Sequence, residues 1–475
     1  MSYPPALYLC AALLLGLLIE ACIKIRRPWS IPAIGVYLTT LGWYFVDPFQ
    51  SPEDYAGFPP TILSLSYFQV ALFLLAFRWL VPRVSGWSSK NLNMEGVGAA
   101  SPNAEKLFKW LVILWVPLVL IGIMRMEGDV VAALFPLDAR GGTKGNMWSR
   151  GAMGGTTDFL ISTGGYIYQL VCGLLGVTLV LQRNGLPRFI NAGLFLLSIP
   201  FFLFSGARSF FIAAIAPAVL CYLVVGRQKF LTRALVTGVS FVGIYFLLLT
   251  VIENRATGFR YLVDEEAKAE KDAAEIAAPA DPSVINSDKE KRRTQQGLNM
   301  IQELCFINEF SDSGTFQPAY GGRYLIELTN MIPRALWPDK PMIGIDYAVW
   351  RGFGGADTST GVFATISTGM IGGGVMNFGK WIGPPIAGLL IAMWAGLLSR
   401  WWQQRYSLLR LCLFMAGLGL TFNMGRDITL LVLWPVVFAY LLVRLAEKFT
   451  VNPGSSGSKR PTGPQWKTRK SFQSR

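Results

Sequence analysis

Histidine is missing altogether from the 475 residues, and charged residues make up only 15% of them. The first absence removes the His-centred nucleophilic triads, the commonest general base and the commonest zinc ligand. The second sets the chain apart from soluble domains, in which about 25% of residues are charged. Cysteine is sparse as well: Cys10, Cys22, Cys172, Cys221 and Cys412 fall inside apolar runs and Cys305 stands alone in a polar region. Neither a disulfide framework nor a cysteine metal cluster is supported. Any chemistry is therefore expected to run on carboxylates, Arg, Lys, Tyr or the substrate itself, with no metal and no cofactor.

What the chain has is apolar length. Hydrophobic residues make up 52% of it and the mean hydropathy is +0.41, which predicts an all-α integral membrane protein. The net charge of +14 is read first as topology, because Lys and Arg collect in cytoplasmic loops; nucleic acid is not expected as a partner. The first apolar run, residues 4–23, ends in Lys24-Ile25-Arg26-Arg27 and has no basic segment before it. It reads as a retained span ending in the cytoplasm, not as a signal peptide. Further spans are predicted over 30–46, 61–80, 107–126, 157–181, 189–205, 209–225 and 232–252, and again over 381–398, 407–424 and 428–443. The loops predicted to be cytoplasmic carry Arg78, Arg83, Lys90, Lys106 and Lys109, then Arg183 and Arg188, then Arg227, Lys229 and Arg233. The opposite side begins with the acidic stretch from Asp47 to Asp54.

Five divisions follow: a bundle of about eight spans over 1–252, a large outer (periplasmic) loop over 253–361, a re-entrant or interfacial segment over 362–378, the C-terminal spans over 379–446, and a basic cytoplasmic tail over 447–475. Within the loop, 264–293 is rich in Glu, Lys and Ala and reads as a solvated helix or a disordered insert. Residues 298–361 bring aromatics, Gly and Pro and read as structured. The stretch 362–378 contains Gly369, Gly372, Gly373 and Gly374. A full crossing there would put the basic tail outside, so about eleven spans with the N-terminus outside is the topology that agrees with the charges.

Several cations are predicted to lie on the outer side, against the general bias. Arg208 occupies a Ser-Gly-Ala-Arg-Ser turn between two apolar runs, where it either meets an anion or snorkels to lipid phosphates. In Pro333-Arg334-Ala335-Leu336-Trp337-Pro338-Asp339-Lys340-Pro341 the three prolines stiffen the backbone that carries Arg334, Trp337 and Lys340. An Arg fork and a Lys point charge held there suit phosphate or diphosphate, although a structural turn at the membrane surface reads the same way. Upstream lie Glu303, Glu309, Asp312 and Tyr320-Gly321-Gly322-Arg323; downstream lie Asp346, Arg351 and Asp357. Arg426 sits in an outer hairpin next to Asp427, which is a candidate neutralising partner.

The Pro-Arg-x-x-Trp-Pro-x-Lys-Pro string, the Ser-Gly-Ala-Arg-Ser turn before a span, and Ser359-Thr360-Gly361 followed by a Gly-rich segment and Asn377-Phe378-Gly379 together resemble the bacterial oligosaccharide repeat-unit polymerases, also called O-antigen polymerases. The motifs cover roughly residues 200–430. The resemblance implies polymerisation of glycan repeat units carried on undecaprenyl diphosphate, at the outer face of the bacterial inner membrane, with a chain-length regulator and a flippase as partners. On that reading Arg208 and Arg334 are catalytic, Glu309 is the base, and Arg323, Trp337, Lys340, Arg351 and Arg426 bind the substrate. The related O-antigen ligases use an outer-loop histidine, which this chain lacks.

Two alternatives come from other classes. A polyisoprenoid-sugar-dependent glycosyltransferase would place its acids in the first outer loop, where Asp47, Glu53 and Asp54 are available. A glycan flippase or transporter would show charges inside spans or broken helices in two related halves.

Overall fold

The computed structural model describes residues 3–90, 102–137, 146–148, 156–205, 208–253, 259, 299–329, 336–337, 345–352, 366–428 and 430–450. Among these residues the ordered elements are all helical. They are α1 (Pro5–Ile23), α2 (Ser30–Tyr44), α3 (Val46–Gln50), α4 (Pro60–Lys90), α5 (Ala104–Arg125), α6 (Val130–Leu134), α7 (Thr156–Leu181), α8 (Leu186–Phe204), α9 (Arg208–Val225), α10 (Phe230–Glu253), α11 (Met300–Asp312), α12 (Gly322–Thr329), α13 (Ile345–Trp350), α14 (Met370–Gln403), α15 (Leu408–Arg426) and α16 (Leu430–Thr450). Local chemistry sets several of the starts. Proline opens α1 and stands in the first turn of α8, where its missing N–H costs nothing. Asn103 caps α5, its side chain accepting the Lys106 amide at 2.8 Å.

Seven described helices are long and apolar enough to cross a bilayer, among them Pro60–Ser88, Ala104–Arg125 and Leu408–Arg426. Exposed Leu9, Ile113, Met124, Phe189 and Leu196 line their outer faces, and Leu235 and Val239 continue the apolar surface on α10, a surface that only lipid would cover at low cost. The chain is a multi-pass membrane protein.

Inside the bundle, α15 is the hub. It packs against α2, α7, α9, α14 and α16. Close approach rests on small residues, as is general where lipid removes the hydrophobic drive between helices. A Cβ on Gly388 would lie 2.9 Å from the Phe73 carbonyl of α4, and one on Gly419 would lie 3.2 Å from Ala216 of α9. Gln69 of α4 donates to the Lys380 carbonyl at 3.2 Å, and Gly396 abuts Val84. The body of α14 therefore runs parallel to α4. Trp394 donating to Thr421 at 3.1 Å and Gly417 lying against Leu398 show that α15 runs antiparallel to both.

These directions sort the molecule into two ends. One gathers Tyr3, Tyr44, Asp47, α11, α12 and the starts of α4 and α14; the other gathers Lys24 to Trp29, the last third of α4, Arg400, Arg405, Arg410 and Glu447.

The Gly-rich segment turns back on itself. Gly379 has φ 80° and ψ 174°, which breaks α14 into 370–378 and 380–403. A Cβ on Gly374 would stand 2.4 Å from the Gly383 carbonyl oxygen. Nine residues of continuous helix would separate those positions by about 13 Å, so the short piece folds back along the start of the long one.

α11, expected in the outer loop, is buried. Asn308 donates to Ser66 at 3.0 Å and Gln69 at 2.8 Å, Gln69 donates back to Asn308 at 2.9 Å, and the Cys305 thiol donates to Ser66 at 3.3 Å. Polar groups of α4 satisfy polar groups of α11, which lets a helix of modest hydropathy enter the core.

Two expected boundaries shift. α4 continues to Lys90, so Arg78 and Arg83 lie on a helix and not in a loop; Arg78 is held there by Glu20 of α1. α16 continues to Thr450, so Glu447, assigned to the tail, is helical and accepts from Arg410. The insert 264–293, the stretch 353–365 and the tail from 451 lie outside the described residues.

Candidate functional site

The best-built polar site lies where the end of α15 meets the start of α14. Arg426 closes α15, its carbonyl accepts from Gly369 at 2.9 Å, and its Nε donates to Ser367 Oγ at 2.7 Å. Gly369 has φ 76°, and a Cβ there would collide with the Tyr44 hydroxyl at 2.8 Å, so a glycine is required on both counts. Tyr44 in turn accepts the Ile371 amide at 3.1 Å, which satisfies one of the unpaired donors at the start of the helix.

α12 closes the site from the other side. Its start is pinned by the Arg323 amide donating to Asn377 at 3.1 Å and by the Ala319 amide donating to the Met376 carbonyl at 3.1 Å. Just before it, Tyr320 has φ 46° and is 84% exposed, a left-handed conformation that costs energy for a residue with a side chain. The Tyr324 hydroxyl is buried without a partner, close to Gly373 and within the electrostatic reach of Glu327 and Asp427.

Two carboxyl groups complete the arrangement. Burial raises the pKa of Glu327 well above the usual carboxylate range, the Asp427 charge raises it further, and Arg323 opposes. Burial also raises that of Asp427, against Arg426. They titrate as a pair. Both shifts run toward the protonated form, the direction that burial and a neighbouring acid impose on a carboxyl. Arg426 and the unpartnered Tyr324 hydroxyl supply positive charge and a donor next to the pair.

The predicted residues are distributed unevenly. Arg323 and Arg426 come together at this carboxyl pair. Arg323 also pairs with Asp346, with one contact at 3.3 Å, and lies 5.7 Å from the Trp350 ring centroid. Arg351 is taken up elsewhere. Its guanidinium holds Glu303 through Nε at 2.9 Å and Nη2 at 3.1 Å, stacks 3.7 Å from the Phe306 centroid, and is 3% exposed. Tyr347 donates to the same carboxylate at 2.5 Å. This ion pair joins α13 to α11 and leaves no face for a ligand.

Glu309 is half-buried on α11. Arg208 begins α9, but its side chain lies outside the described residues, as do Arg334 and Lys340; Trp337 is 38% exposed. Their expected convergence with Arg426 therefore involves residues beyond those described. In the first loop, Asp47 is buried and accepts from Tyr55 at 2.5 Å.

Sequence reasoning missed Glu327 and Tyr324, and saw Asp427 only as a neutraliser. The available signal was Asp427 at the end of an otherwise apolar span, where an acid must find a purpose or a partner. Glu327 gives no such signal until α12 is folded onto α14. Comparison of the chain with protein-family models, with curated proteins and with solved structures gives no match in any of the three.

Proposed function

We propose that the chain is a membrane glycosyltransferase that polymerises oligosaccharide repeat units carried on undecaprenyl diphosphate. The observation that supports it most is the Glu327–Asp427 carboxyl pair set beside Arg426 at the reversed start of α14. In the proposed reaction a bond forms between the anomeric carbon of the growing chain and an acceptor hydroxyl of the incoming unit. The bond from that carbon to the diphosphate breaks, and the diphosphate leaves with the electron pair. Asp427, once ionised, takes the acceptor proton, and Arg426 stabilises the leaving charge, with Arg208, Arg334 and Lys340 as further diphosphate contacts. Exposed Tyr320 offers a ring for a sugar face. In this reading the site end faces the periplasm, the chain crosses the inner membrane about eleven times, and 370–378 is a re-entrant half-helix lining a polar cavity.

The test is a strain carrying Asp427→Asn. Polymer should fall by about 10²–10⁴-fold, the range typical for losing a general base, with the membrane level of the protein unchanged. Normal polymer in Asp427→Asn and Glu327→Gln strains would refute the assignment. Loss confined to Asp47→Ala would favour the first-loop glycosyltransferase alternative.

A further inference from the structure

At the end of the bundle opposite the site, the turn between α1 and α2 and the last third of α4 enclose a cleft of about 650 Å³ lined by Lys24, Arg27, Trp29, Arg78 and Arg83. Its charge is unbalanced. Glu20 accepts from Arg78 Nε at 2.6 Å and from Lys24 at 2.6 Å. Arg27 and Arg83 are exposed and have no carboxylate partner among the described residues. Four cations thus share one acid.

Arg78 and Arg83 are also held in place. Arg83 donates to the Trp79 carbonyl at 2.5 Å and lies 4.1 Å from the Trp79 ring centroid, and Arg78 lies 5.4 Å from that of Trp29. Ser30 Oγ donates to the Lys24 carbonyl at 2.5 Å, which fixes the turn.

The surroundings indicate what kind of anion fits. Trp79 is 59% and Trp87 74% exposed, the position of an interfacial aromatic belt. Ile23, 77% exposed, and Ile25, 46% exposed, continue the rim as apolar surface. A soluble phosphate would meet the cations and leave that surface bare, whereas a phospholipid would cover both.

We infer that this cleft binds the phosphate headgroup of an anionic phospholipid, with Arg27 and Arg83 as the principal contacts and the acyl chains along the exposed apolar rim of α1 and α4. Basic pockets between spanning helices at headgroup depth are suited to such lipids, and an Arg fork grips two phosphate oxygens at once.

The test uses the purified full chain in detergent, with lipid binding followed by native mass spectrometry. Phosphatidylglycerol should bind at least about tenfold more tightly than phosphatidylcholine, and the preference should weaken with added salt. Arg27→Gln combined with Arg83→Gln should reduce the preference to within about twofold, while Lys at both positions should keep part of it. Gly86 has open space around its Cβ position, so Gly86→Asp places a carboxylate in the cleft without removing a contact and should also weaken phosphatidylglycerol binding. That second variant decides the matter if the double variant does not fold. Equal binding of the two lipids, or an unchanged preference in Gly86→Asp, would overturn the inference. Full displacement of phosphatidylglycerol by millimolar inorganic phosphate would overturn the lipid assignment in favour of a soluble anion.

Discussion

The two ends of the bundle treat carboxylates differently. At the end holding the cationic cleft every described ion pair matches an acid to a cation: Glu20 to Arg78 and Lys24, Glu447 to Arg410. At the other end Glu303 is matched with equal care by Arg351 and Tyr347, but Glu327 and Asp427 stand acid against acid. Matched pairs fix one helix to another and resist titration. Two buried acids near one another do the reverse: charging both costs energy, so their pKa values rise although Arg323 and Arg426 oppose the shift. The contrast separates acids whose charge is matched by a cation from acids held in each other's field.

The sharpest way to break the contrast is to remove the backbone reversal that creates the unmatched pair. Gly374→Val or Gly383→Val would drive a side chain into backbone 2.4 Å from the Cβ position, and backbone cannot yield as a side-chain tip does. Monodisperse protein on size-exclusion chromatography should be nearly lost in either variant. Glu303→Gln comes next, because it leaves the Arg351 guanidinium buried without its counter-charge, a loss of about 3–5 kcal/mol. Replacing both partners by Met should cost much less in thermal unfolding, since no orphaned charge remains.

The unmatched pair predicts a pH dependence of defined sign. The raised pKa values mean that the folded state holds these protons more tightly than the unfolded chain does. Their stabilising contribution is complete below the ordinary carboxylate range and is lost as pH rises through the raised values. Glu327→Gln should flatten that loss. If Asp427 must be ionised and Glu327 protonated, activity should follow a bell with both limbs above the ordinary carboxylate range. At the opposite end Glu20→Gln should have the smallest effect, about 0–1 kcal/mol, because the pair it breaks is partly open to solvent.

Much of the helical frame was legible beforehand, because spanning helices announce themselves by length and apolar content. The runs predicted at 4–23, 107–126, 157–181 and 189–205 lie within a few residues of α1, α5, α7 and α8. The glycines of 369–374 read as part of a re-entrant or interfacial segment, and the structure forms a short helix over 370–378 that breaks at Gly379. What stayed hidden depends on partners distant in sequence. α11 reads as a loop segment until Ser66 and Gln69 are seen to satisfy Asn308. Arg351 looks like a ligand contact until Glu303 is placed against it. The site was half visible: Arg323 and Arg426 were picked out by their charge, but Glu327 acquires its character only from burial and from Asp427.

The parallel seam between α4 and α14 has a consequence for how the protein is made. Gln69 finds the Lys380 carbonyl across 311 residues of chain and Asn308 across 239. At 5–20 residues per second, ribosomes take about 16–60 s to travel the longer interval. Until Asn308 is made, Ser66 and Gln69 of α4 lack that partner, and Gln69 waits longer still for the Lys380 carbonyl. A half-assembled α4 therefore exposes polar groups during synthesis, and Asn308→Leu, which withholds their later partner, should appear as degradation of nascent chains in pulse-chase labelling.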